Sequence, residues 1–255
     1  MINIYFSCIK ILIFLISSSS AKSPSNLFNN YERCKLSDQA INTCLKNALS
    51  KSFPYMAKGV PSLNLFPFDP IKISSIEIKQ DRSSSVQINL KVKDVEARNL
   101  LSSTEVTHFK TDVKNLTASL SLLIKDPLLL NGTYEISGKV LLLPIVGNGP
   151  FYMKLENVIG SITFHMKKIE KNKKVYLKPE NISWTFTTKK LIIRLDNLFN
   201  GNKALGDNMN VFLNENWPEI LKDFQPALEK ALVFIAYEYT NQFFGRIPME
   251  QLFIE

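Results

Sequence analysis

The stretch from Phe212 to Phe234, FLNENWPEILKDFQPALEKALVF, repeats its apolar residues every three or four positions and yet holds two prolines, Pro218 and Pro226. Read outward, the stripe takes in Met209, Phe212, Leu213, Trp217, Ile220, Leu221, Phe224, Leu228, Ala231, Leu232, Ile235, Ala236, Tyr239 and Phe243. That period predicts an amphipathic α-helix, with Asp207 as its cap. From Asn208 to Phe243 such a helix would measure about 54 Å if straight. Each proline removes one backbone hydrogen bond and crowds the carbonyl four residues earlier, of Asn214 and of Lys222, at about 3 kcal/mol in a straight helix. The stripe stays in phase across both, which predicts one long helix bent at the prolines. A long, bent apolar face needs a long, curved partner.

The preceding sequence supplies one. Between Ile71 and Leu195 the period changes to two. Val86, Ile88, Leu90 and Val92 alternate with polar residues, as do Leu116, Ala118, Leu120 and Leu122, then Tyr134, Ile136, Gly138, Val140 and Leu142. Later runs are Val158, Gly160, Ile162, Phe164 and Met166, then Ile182, Trp184 and Phe186, then Leu191, Ile193 and Leu195. This pattern predicts antiparallel strands with one wet face. Asn131-Gly132 is the strongest hairpin-turn signal, with Glu170 to Lys174 and Thr187 to Lys190 as others. Upstream, Ser37 is expected to cap a helix carrying Ala40, Ile41, Cys44, Leu45, Ala48 and Leu49. Pro61, Pro67 and Pro70 then force an extended path. Long strands in a large sheet must coil, so the expected class is α+β, a strongly curved antiparallel sheet around a long kinked C-terminal helix.

The N-terminal run reads as a secretory signal peptide over residues 1–21, with Ile11 to Ile16 as its apolar part and Ser19-Ser20-Ala21 as the cleavage signal. Lys10 is its only charged residue, so removal takes the net charge from +8 to +7. Residues 22–255 are then expected to form a single secreted domain. Cys8 leaves with the signal peptide, and Cys34 and Cys44 are expected to form one disulfide in an oxidising compartment. Asn115, Asn131 and Asn181 stand in glycosylation sequons.

A family resemblance is carried by LFNGNKALGDNMNVFLNENWPEILKDFQPALEKAL (Leu198 to Leu232) and FFGRIPMEQLF (Phe243 to Phe253). YEISGKVLLLPIVGNGPFYMKLEN (Tyr134 to Asn157) and the N-terminal CKLSDQAINTCLKNAL, followed by GVPSLNLFPFDPI, agree with it. The chain resembles the insect takeout and juvenile hormone-binding protein family over nearly all of its expected mature length. The resemblance implies a curved sheet wrapped on a long helix, enclosing an elongated hydrophobic cavity, and a secreted carrier of a small apolar ligand. Fatty-acid-like, isoprenoid or juvenile hormone-like molecules are the implied ligands, with feeding or circadian physiology as the setting. The hormone-binding branch has a second disulfide; one cysteine pair favours the takeout branch. Candidates for lining the cavity are Phe224, Leu228, Leu232 and Ile235 on the helix, and Ile136, Val140, Leu142, Phe164, Trp184 and Phe186 on strands. Tyr134 and Tyr152 are candidates for offering a hydroxyl to the ligand.

No enzyme is expected. His108 and His165 lack acidic or cysteine partners nearby, and there is no Gly-x-Ser-x-Gly elbow or His-Glu-x-x-His pair. Gly132 to Lys139 departs from a phosphate loop in spacing, and Gly147 to Pro150 lacks the third glycine of a dinucleotide turn; both read as turns. No metal and no cofactor are expected. Lys167, Lys168, Lys171, Lys173, Lys174 and Lys178 cluster on one predicted hairpin, either as a solvated tip or as a transient contact for anionic membrane. Export argues against nucleic acid, and a monomer is expected. An alternative reading keeps a solid core and makes this basic hairpin a membrane-surface or receptor-facing signalling site. A further competitor is an esterase whose catalytic groups come from distant positions.

Overall fold

The computed structural model describes residues 32–79 and 86–254; the expected signal peptide and Cys8 lie outside them. In chain order the elements are β1 (Cys34–Lys35), α1 (Ile41–Lys58), β2 (Ile71–Lys79), β3 (Val86–Arg98), β4 (Thr104–Asp112), β5 (Thr117–Ile124) and β6 (Leu128–Val140). There follow β7 (Leu143–Glu156), β8 (Val158–Lys171), β9 (Lys174–Thr187), β10 (Lys190–Leu195), α2 (Lys203–Glu215), α3 (Trp217–Phe244), α4 (Met249–Leu252) and β11 (Phe253–Ile254).

The strands pair in the orders β10-β7-β6-β3-β2 and β4-β5-β8-β9. Register makes these the two halves of one creased surface. Leu128 faces Leu155 on one side of the line and Ile124 faces Val158 on the other. Lys190 likewise faces Glu156, and Thr187 faces Ile159. Four chain segments therefore cross the crease, at 99–103, 125–127, Asn157 and 188–189. Asn99 and Asn157 take left-handed backbone there (φ 67 and 53), which asparagine tolerates well. Asp69 fastens the line, accepting from the N–H groups of Asn99 (2.9 Å), Leu101 (3.3 Å) and Ser102 (2.9 Å) and from the Ser102 hydroxyl. The sheet is curled without closing.

Several expected turns are strand. Asn131-Gly132 lies inside β6, paired with both β3 and β7. It sits opposite a bulge in β3 at Asp94 (φ 50). A Cβ on Gly132 would come within 2.7 Å of the Lys93 carbonyl and 2.9 Å of Phe151. The residue is glycine for close approach, not for turning. The same holds for Gly147 and Gly149 in β7, where Leu198 and Asp196 cross the sheet. The connection from β6 to β7 is instead Leu141-Leu142, with Leu141 at φ 55. Thr187 to Lys190 is a passage across the crease, since β9 and β10 have different neighbours. The turn expected within Glu170 to Lys174 is present at Asn172-Lys173, both at positive φ.

The expected continuous helix is two helices separated by Asn216 (φ −108, ψ 18). Pro218 falls in the first turn of α3, where its missing N–H has no intrahelical acceptor to lose. Starting a new helix there relieves the crowding at Asn214. Pro226 stays inside α3, on its exposed face with Lys222. Opening the ladder on the solvent side bends a helix around its core. Asn202, not Asp207, caps α2, accepting from the Leu205 N–H at 3.2 Å. Ser37 likewise precedes α1 without capping it; Ala40 holds that position, its N–H bonded to Asp38.

Helical asparagines finish two sheet edges. Asn214 accepts from the Ile193 N–H (2.9 Å) and donates to its carbonyl (2.6 Å), and Asn210 does the same for Leu195 (2.8 and 2.9 Å). Four helical residues rise about 6 Å and two strand residues about 6.7 Å, so α2 acts as a neighbouring strand for β10. On β4, Asn42 of α1 accepts from the Thr111 N–H at 2.8 Å. Cys34 and Cys44 are joined by a disulfide that ties β1 to α1.

Candidate ligand-binding site

α3 lies against the inner face of both halves of the sheet. Its first part, through Ile220, Leu221, Phe224, Leu228 and Leu232, joins an apolar cluster built on β3, β6, β7 and β10. Its second part, through Ile235, Ala236, Tyr239 and Phe243, joins a cluster with β4, β5, β8, β9 and the 60–71 segment. Ile73 and Leu100 belong to both clusters, so the apolar interior continues across the crease. A polar clip holds the helix beside it: Gln225 donates to the Phe186 carbonyl (2.8 Å), and Glu229 accepts from Gln225 (2.7 Å) and the Phe186 N–H (3.3 Å).

The interior brings together most of the residues expected to line it. Phe224, Leu228 and Leu232, packed against the first cluster, are only half-buried, as are Ile235, Phe164 and Trp184, packed against the second. Gly160 makes room for Trp184; a Cβ there would meet the indole nitrogen at 3.2 Å. Ile136, Val140 and Phe186 are fully packed in the first cluster. Two expectations fail. Leu142 is 91% exposed because it forms the β6–β7 turn, and Tyr152 is 39% exposed because its neighbour Phe151 takes the inward register. A third is altered: Tyr134 is buried, but its hydroxyl donates to the Asp196 carbonyl at 2.7 Å and is committed to holding the Asp196–Leu198 segment. Burial, with the Asp196 carboxylate second, pushes its pKa up to about 12.

The polar groups with spare capacity are elsewhere. The Tyr239 hydroxyl and Gln242 Oε1 are buried without hydrogen-bond partners, and burial pushes the Tyr239 phenol above its ordinary range, so it stays protonated. Tyr239 belonged to the apolar stripe by period; a tyrosine in such a stripe was the available signal. Another concavity, a trough of about 450 Å³ over β2, β3, β6 and β7, is edged by Glu77, Asn89, Lys91, Glu135 and Ser137 as well as Ile78, Leu90 and Ile136. Its charged rim suits it poorly for desolvating an apolar molecule.

Away from the interior, Asn115, Asn131 and Asn181 are all exposed, as are His108 and His165. The basic residues occupy the β8–β9 hairpin; Lys167 pairs with Glu180 (3.2 Å) and Lys174 with Glu250 (3.4 Å). Among the described residues no group of three or more His, Cys, Asp or Glu is placed to hold a metal. No helix there is long and apolar enough to cross a membrane.

An apolar helix lies along a creased sheet, with large half-buried side chains between them, and family membership makes this fold that of a carrier of hydrophobic molecules. The chain belongs to the haemolymph juvenile hormone binding protein family, whose model matches residues 11–254, a family of ligand-binding carriers rather than enzymes. It is 28% identical over 227 residues to the circadian clock-controlled protein daywake of Drosophila melanogaster, covering 87% of this chain and 86% of that one. The corresponding protein of Drosophila yakuba is 26% identical over 238 residues, with 87% and 86% covered. The crystal structure of Epiphyas postvittana Takeout 1 superposes with a TM-score of 0.78 at 23% identity, covering 88% of this chain and all of that one.

Proposed function

We propose that residues 22–255 act as one secreted, monomeric carrier domain that holds an elongated hydrophobic molecule, fatty-acid-like or isoprenoid, between α3 and the curled sheet. One observation carries this reading: Phe224, Leu228 and Leu232 against one apolar cluster, and Ile235, Phe164 and Trp184 against the other, all remain half-buried. A solid core would cover side chains this large; an apolar guest would finish the job. Binding is driven by desolvation, at about 25 cal/mol per Å² of apolar surface removed from water. The family's haemolymph description and the apolar N-terminal run support export, and the exposed sequons at Asn115, Asn131 and Asn181 are glycan sites in that setting. The clock-controlled relatives suggest a daily rhythm in the protein's amount. The basic hairpin is a transient contact for anionic membrane during loading.

The test is native mass spectrometry of the secreted protein, then solvent extraction and lipid identification. A discrete co-purifying mass is expected, with an even shift on removal of the lipid. A chain that arrives empty and takes up neither fatty acids nor isoprenoids would sink the carrier reading in favour of a solid core.

A further inference from the structure

The Tyr239 hydroxyl and Gln242 Oε1 are buried and unpaired on the same helix. Tyr239 is 5% exposed, and its ring is held edge-on by Phe66 and Phe68 at centroid distances of 5.7 and 4.7 Å. Swinging the hydroxyl out to water would break both aromatic contacts. Protein interiors contain few unpaired polar atoms because each costs the full desolvation of the group. Here two occur three residues apart, on neighbouring positions of one helical face. They stand near the C-terminal end of the apolar stripe on α3, Tyr239 being about 22 Å along the helix from Phe224.

We infer that Tyr239 and Gln242 form a polar seat for the head group of the bound molecule, and that this head group both accepts and donates a hydrogen bond, as an alcohol or an un-ionised carboxylic acid does. The inference rests on the carrier reading above and adds the chemistry of the guest's polar end. Tyr239 presents an O–H donor, while Gln242 Oε1 can only accept. An ether, ester or ketone oxygen accepts from Tyr239 and leaves Gln242 unpaired. A carboxylate has the same defect and carries a charge into apolar surroundings. A hydroxyl accepts from Tyr239 and donates to Gln242, so both orphans are satisfied together. The tail then runs along Ile235, Leu232 and Leu228 towards Phe224.

The test compares hexadecanol with hexadecyl methyl ether as competitors for N-phenylnaphthylamine bound to the delipidated full-length protein. The alcohol should displace the probe at about tenfold lower concentration. Tyr239→Phe and Gln242→Leu should each shrink that preference to about threefold or less. Ligand-free Tyr239→Phe should also melt about 2–6 °C above the native protein, because an unpaired buried hydroxyl has been removed. Equal displacement by alcohol and ether, a preference that survives both substitutions, or a lower melting temperature for Tyr239→Phe overturns the seat and leaves the carrier standing. Failure of both compounds to displace the probe brings down the carrier reading and the seat with it.

Discussion

Asp69 controls the crease with a single carboxylate. Burial alone would raise its pKa, but the hydroxyl and N–H of Ser102, with the N–H groups of Asn99 and Leu101, together hold it below the ordinary 3.8. A depressed folded-state pKa means that the contribution to stability is present above the unfolded value and lost as pH falls through the folded one. Asp69→Asn keeps one acceptor and loses the charge, so at neutral pH it should cost about 1–2 kcal/mol. The difference between native and variant urea midpoints should shrink as pH drops below about 4 and vanish in stronger acid. A difference that persists undiminished in acid would show that the charge is not what ties the crease. None of this was readable beforehand, because Asp69 meets Asn99 to Ser102 only once a fold brings them together.

At the scale of elements, the two prolines of the opening stretch do different work. Pro218 begins α3 and Pro226 lies inside it, so Pro218→Ala should change stability by less than about 0.5 kcal/mol. Pro226→Ala should straighten the helix and weaken ligand binding severalfold while altering stability little, as read by probe titration beside thermal unfolding. Unchanged affinity with a large loss of stability would assign Pro226 to folding alone. α2 offers a second test. Replacing both Asn210 and Asn214 with alanine strips partners from Ile193 and Leu195 and leaves β10 as an open edge. A loss of about 1–3 kcal/mol is expected, with concentration-dependent association by light scattering. Periodicity made the strands and the C-terminal helical stripe legible because apolar faces must be buried at fixed intervals. It could not separate a glycine needed for close approach from one needed for a turn, which is why Gly132 and Gly147 misled. Period also ran unbroken through Asn216, hiding the helix junction, and inward register misassigned Tyr152, whose neighbour Phe151 carries the bulk.

For the molecule as a whole, the interior was legible as a face and not as a space: Phe224, Leu228, Leu232 and Ile235 were marked by period, but their incomplete burial depends on how far the curl of the sheet stands off the helix. The two ends of the described chain also meet. β1 runs parallel to β11, with Cys34 opposite Phe253 and Lys35 opposite Ile254, and Arg33 donates to the carbonyls of Glu250 and Phe253. The disulfide carries that attachment on to α1. Topologically the carrier is therefore close to a ring that happens to be cut between residues 254 and 32. Linking Ile254 to Glu32 with about six Gly and Ser residues and opening the chain at Asn172-Lys173 should give a circular permutant with native melting and ligand uptake. New termini would then lie at the tip of the lysine-rich hairpin, open to a fused reporter.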